Sequence, residues 1–165
     1  MIVMKQPIHN MLPLNILLCD DDTDDCIFFK DALEGLSLST HLTTVHDGEQ
    51  LMELITKTNE LPYVLFLDLN MPRKNGFECL SEIKLNKKLK QLPVIILSTS
   101  IDEDVVNLLY NNGAQYCASK PGKISQLKIV IRRTLTLIAQ NNIVQPSREN
   151  FVITAQNSFV FLENL

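Results

Sequence analysis

The stretch Tyr63-Val64-Leu65-Phe66-Leu67-Asp68-Leu69-Asn70-Met71-Pro72 is an apolar run that ends on a single carboxylate. Without polar alternation, such a run fits a strand buried on both faces, as in parallel sheets covered by helices. Asp68 then falls at the strand's C-terminal tip, where open parallel sheets place their ligands. Taken alone, the plainer explanation is an aspartate that starts the turn before Met71-Pro72.

A second run with the same grammar changes that balance. Ile16-Leu17-Leu18-Cys19 leads into Asp20-Asp21-Asp22-Thr23-Asp24-Asp25, again an apolar strand ending in acid. If the two strands are parallel neighbours, their tips bring Asp20, Asp21 and Asp68 together. Three carboxylates so close repel and raise one another's pKa, a conflict that a dication resolves. Oxygen ligands, few in number and leaving room for water, describe a magnesium site better than a calcium cage or a zinc site.

Outward from these runs, strands and helices alternate. A strand over Asn15 to Cys19 precedes a helix from about Asp24 to Glu34, with Asp22 or Thr23 as N-cap and Gly35 just past its end. His41 to Val45 is threonine-rich with weak alternation, which suits a strand near the sheet edge. Asp47 and Gln50 open the next helix as reciprocal capping partners, and Asn75 and Glu78 do the same for the third. The third and fourth strands begin at Pro62 and Pro93, the fourth running Val94 to Leu97 and ending on Ser98-Thr99-Ser100. Ser100 and Glu103 read as a capping box for a fourth helix stopped by Asn111-Asn112-Gly113. A short strand, Gln115 to Ser119, ends at Lys120-Pro121, and a last helix spans about Ser125 to Ala139. Five strands, each followed by a helix through short connections, predict an α/β fold: a doubly wound parallel sheet with helices on both faces.

The bulk properties agree with one globular domain: 165 residues, 45% apolar, with a net charge of −4 that argues against a direct nucleic-acid surface. Cys19, Cys26, Cys79 and Cys117 show no CxxC spacing and read as core residues of a reducing compartment. No run approaches the roughly 18 apolar residues of a membrane span, so a cytoplasmic protein is expected. Residues 1–13 form an arm broken by Pro7 and Pro13, residues 14–139 the domain, and residues 140–165 an extension too apolar for a solvated tail. That extension is expected to dock on its own domain or in a homodimer contact.

Reading only the strand ends gives Asp20-Asp21, Asp68, Ser98 and Lys120 in order. This resembles the receiver domain of two-component response regulators, over about Asn15 to Ala139. Met71-Pro72 and Gly76 match the loop after the acceptor acid. The resemblance implies the flavodoxin-like strand order 2-1-3-4-5, Asp68 as phosphoacceptor, and magnesium held by Asp20, Asp21, Asp68 and the backbone carbonyl of Asn70. It further implies that Lys120 contacts the phosphoryl group or Asp68, that Ser98 bonds a phosphoryl oxygen, and that the Lys120-Pro121 bond is commonly cis. Two positions depart from the family's pattern. Asp22 stands where glutamate is common, and Cys117 replaces the aromatic usual three residues before the lysine, with Tyr116 directed to the opposite face.

The resemblance thus implies a stand-alone receiver, not an enzyme, that takes a phosphoryl group from a histidine kinase or phosphotransfer protein and signals to a downstream target. The shifting surface would be the fourth helix, fifth strand and fifth helix. Cys117 keeps open an alternative, a phosphorylation-independent adaptor with the same fold. An aspartate-dependent phosphohydrolase is disfavoured because Asp68-Leu69-Asn70 lacks a second acid two positions on, and a flavin site because five aspartates between Asp20 and Asp25 would repel its phosphate.

Overall fold

The computed structural model describes residues 12–141 and 144–156. The N-terminal arm, except for its last two residues, and the apolar end of the extension, Phe159 to Leu162, lie outside the described residues.

Five βα units follow one another. They are β1 (Leu14–Cys19), α1 (Thr23–Glu34), β2 (Thr40–Val45), α2 (Gly48–Lys57), β3 (Val64–Asp68), α3 (Gly76–Leu85), β4 (Val94–Ser98), α4 (Glu103–Asn111), β5 (Tyr116–Ser119) and α5 (Ile124–Asn141). A short β6 (Val152–Ile153) comes last. The strands form one sheet in the order β2-β1-β3-β4-β5-β6, with every pair parallel. The expected doubly wound order is therefore present, and β6 is an addition that a two-residue strand is too short to announce by periodicity.

The apolar runs are explained by two cores, one on each side of the sheet. Along β3, Leu65 and Leu67 pack with Leu51 and Ile55 of α2, Leu80 and Ile83 of α3 and Leu109 of α4. Val64 and Phe66 face the other way, toward Phe29 and Leu33 of α1 and Val130 and Ile131 of α5. Phe29 meets Phe66 edge to face, with ring centroids 5.0 Å apart. Each such buried side chain contributes about 1.5–3 kcal/mol relative to exposure, so neither face of β3 tolerates a polar residue before Asp68. On β2, which is an edge strand, burial is only partial; its threonines need no second apolar layer.

Several local expectations shift. Helix α4 begins two residues later than a Ser100 cap predicts: Asp102 is the N-cap and accepts from the amides of Asp104 and Val105. Ser100 is held instead in a loop, where its N–H donates to Ser98 Oγ and its carbonyl accepts from the same hydroxyl. At α2, Asp47 accepts from Gln50 N–H, but the Gln50 side chain accepts from His46 N–H, one residue outside the reciprocal box. The Asn75 and Glu78 box at α3 is complete. Gly35 closes α1 with ordinary right-handed geometry; the left-handed residue of that turn is Ser37. Every peptide bond among the described residues is trans, Lys120-Pro121 included, contrary to the cis bond common in the resembled family. All four cysteines are buried and free. No helix among the described residues is long and apolar enough to cross a membrane.

Candidate functional site: an acidic cluster at the strand tips

Register and alternation together assemble the site. Cys19 pairs with Leu67, so Asp20 stands level with Asp68. Ser98 pairs with Ser119, so Lys120 lies one residue beyond. Ile16 and Leu18, Val64 and Phe66, and Tyr116 and Ala118 all face α1 and α5. By the two-residue period of a strand, Asp20, Asp68 and Lys120 follow them onto that same side.

One carboxylate oxygen from each of Asp20, Asp21 and Asp68 lies within 4.8 Å of the others. Asp20 and Asp68 are buried and Asp21 is exposed. Lys120 Nζ sits 2.6 Å from Asp20 Oδ2, 2.6 Å from Asp25 Oδ2 and 3.8 Å from Asp68 Oδ1. The second oxygen of Asp20 accepts from Asp22 N–H at 3.0 Å. Ser98 is buried at the neighbouring tip, its hydroxyl donating to Ser100 O at 2.7 Å. Asn70 is exposed in the loop that leaves Asp68.

The electrostatics reflect that crowding. Burial, followed by repulsion from Asp20, Asp21 and Asp25, pushes Asp68 up to about 6 against the counteracting pull of Lys120. Burial alone would lower Lys120, but its hydrogen bonds to Asp20 and Asp25 and the charges around it hold it above the usual lysine range. A single ammonium thus partly neutralises a group of carboxylates, and the donor set suits one hard divalent cation. A cleft of about 310 Å³ opens beside the acids, lined among others by Asp24, Asp25, Phe28, Thr99, Lys120 and Pro121. A wider, solvent-open depression is lined by α3 and the residue after it, from Phe77 to Asn86.

Asp25 is the member that reading the strand ends passes over. It occupies the third position of α1 after the Asp22 cap. Helical side chains lean toward the N-terminus, so it reaches back to the β5 tip. The signal available in the sequence is that spacing from the cap.

The loop after β3 is equally constrained. Gly76 N–H donates to Leu69 O at 3.0 Å, and a Cβ on Gly76 would stand 2.5 Å from Asp68 O and 2.8 Å from Leu69 Cα. Both obstacles are backbone atoms and cannot swing aside. Gly76→Ala is therefore expected to cost about 1–3 kcal/mol, as overpacking does, and to weaken cation binding by displacing Asp68; denaturation in parallel with manganese titration measures both.

The family model for the response regulator receiver domain matches residues 16–132, from β1 into α5. The chain belongs to the response regulator receiver family. Response regulator Rcp1 of Synechocystis sp. is 36% identical over 103 residues, covering 59% of this chain and 70% of that protein. Among solved structures, the phosphorylated cyanobacterial phytochrome response regulator RcpA superposes with a TM-score of 0.69 at 31% identity, covering 82% of this chain and 99% of that one. The Mn(2+)-bound form of response regulator Rcp1 gives 0.65 at 28% identity, covering 82% and 100%. This receiver's strand tips carry the acids, the hydroxyl and the lysine just described. Its Cys117 faces the α2, α3 and α4 core, while Tyr116 is buried on the α1 and α5 side.

Proposed function

We propose that this receiver accepts a phosphoryl group on Asp68 from a histidine kinase or phosphotransfer protein, in a magnesium-dependent reaction, and signals to a protein partner in the cytoplasm rather than acting as an enzyme. The observation that carries the reading is the convergence of Asp20, Asp21 and Asp68 within 4.8 Å, with Lys120 Nζ in reach of Asp68. Phosphoryl transfer asks for positioning and for neutralisation of charge on the transferred oxygens more than for covalent chemistry by the protein.

In this reading an Asp68 oxygen attacks phosphorus while the bond from phosphorus to the donor nitrogen breaks, and the donor keeps that electron pair. Asp20, Asp21, Asp68 and the carbonyl of Asn70 would hold the cation, which supplies neutralisation of carboxylate and phosphoryl charge when bound. Burial and the neighbouring acids push the Asp68 carboxyl up in the metal-free protein, and a dication bound beside it would favour the ionised form that attacks phosphorus. Lys120 offers a fixed cation on one side of the incoming group. Ser98 must give up its donation to Ser100 O to donate to a phosphoryl oxygen. Similarity to a phosphorylated receiver and to a manganese-bound one supports both halves of the reading.

Incubation with acetyl phosphate and magnesium should add one phosphoryl group per chain, seen by intact mass, and chelation of magnesium beforehand should prevent it. A chain that binds the cation but never acquires the group would favour the phosphorylation-independent adaptor, the reading that Cys117 at the aromatic position keeps in view.

A further inference from the structure

Residues 144–156 lie as a strap along α4, β5 and α5. Strand β6 extends the edge of β5 in parallel, and Cys117 N–H donates to Phe151 O at 3.1 Å. Phe151 is fully buried, its ring edge-on to Tyr110 with centroids 5.1 Å apart. Polar ties run the length of α4. Arg148 reaches Glu103 Oε1 at 2.7 Å in the first turn and Asn107 Oδ1 at 2.6 Å in the next. Tyr110 Oη donates to Pro146 O at 2.9 Å, and Gln145 Nε2 donates to the carbonyls of Tyr110 and Ala114. From α5, Arg133 donates to Thr154 O at 2.6 Å.

We propose that this strap is the element that reads the phosphorylation state of Asp68, and that phosphorylation loosens it. The inference rests on the function proposed above. Ser98 has one hydroxyl proton, now donated to Ser100 O at 2.7 Å, so donating it to a phosphoryl oxygen costs that bond and leaves only the longer bond accepted from Ser100 N–H. The segment released leads directly to the Asp102 cap and to Glu103, the partner of Arg148. With Cys117 in β5 there is no aromatic side chain at that position to carry the movement outward. The strap instead supplies an aromatic beside Cys117, Phe151, tied to it through its carbonyl and packed against Tyr110 of α4. The ion pair between half-buried Arg148 and exposed Glu103 is weak by itself, which suits a contact meant to be lost. A ligand that prefers the loosened strap is in turn preferred by it, because coupling is reciprocal.

Hydrogen exchange of the full chain with magnesium, before and after adding beryllofluoride, tests this. The expected result is altered exchange at Ser98 to Ser100 together with exchange on the order of tenfold faster at the Cys117 amide and across 150–156. Reciprocally, Phe151→Ala should bind beryllofluoride several-fold more tightly. Arg148→Gln, which leaves the core untouched, should shift affinity in the same direction by less. A response at Ser98 to Ser100 with unchanged or slower exchange in the strap, and unchanged affinity in Arg148→Gln, overturns the inference while leaving Asp68 as acceptor. No response at Ser98 to Ser100 overturns the acceptor reading and the inference with it.

Discussion

Asp68→Asn should make the metal-free protein more stable at pH 7 while removing its ability to be phosphorylated. The carboxyl is buried and pushed up to about 6, chiefly by desolvation and then by neighbouring acids. Folding therefore favours the protonated form. Between the unfolded value near 4 and the folded value near 6 the native state binds more protons, so this group's contribution falls as pH rises through that window and is fully unfavourable above it. The difference of about two units is worth roughly 3 kcal/mol, or about 6–12 °C in melting temperature for a chain of this size. A neutral amide in place of the carboxyl would remove both the penalty and the slope. Melting curves from pH 4 to 8 in chelator, run beside acetyl phosphate labelling, measure the two halves. Saturating magnesium should raise the wild type more than the variant, since only the wild type carries the full repulsion to be relieved.

Lys120→Ala should act in the opposite direction. Lys120 is the cation that Asp20, Asp25 and Asp68 share, and Asp20 is almost wholly buried. Removing one member of a buried pair leaves an uncompensated charge, a loss of about 3–5 kcal/mol. Chemical denaturation in chelator should show that loss, and millimolar magnesium should recover part of it by restoring positive charge beside the same acids. Phosphate transfer in the variant should stay impaired even when magnesium has restored the fold, because the fixed ammonium beside Asp68 is still missing.

The central strands and the site at their tips were legible because burial on both faces forbids polar residues until the strand ends. Asp20, Asp68, Ser98 and Lys120 therefore stand out as the first polar groups after β1, β3, β4 and β5 or at their last position. Their convergence needed the register, which the resemblance supplied and the strand pairing now displays. Asp25 was not legible in that way, since a helix start rich in aspartate also satisfies capping, and only the lean of its side chain reveals the contact with Lys120. The start of α4 was read two residues early because Ser100 with Glu103 satisfies a capping box, whereas in the fold Ser100 is closed onto Ser98 and Asp102 is the cap. A docked extension was expected from its apolar residues, Phe151 and Ile153 among them, but how it is held was not legible, because its strand is two residues long and its hold on α4 comes from scattered side chains, Gln145, Arg148 and Phe151, that follow no period.

A crystal structure with manganese and beryllofluoride, phased on the metal's anomalous signal, is the most direct measurement. One metal peak is expected among Asp20, Asp21, Asp68 and the carbonyl of Asn70, with the beryllofluoride joined through beryllium to an Asp68 oxygen and Ser98 Oγ turned from Ser100 toward its fluorides. A metal bound at other carboxylates, or an Asp68 left bare beside an occupied metal, would contradict that expectation.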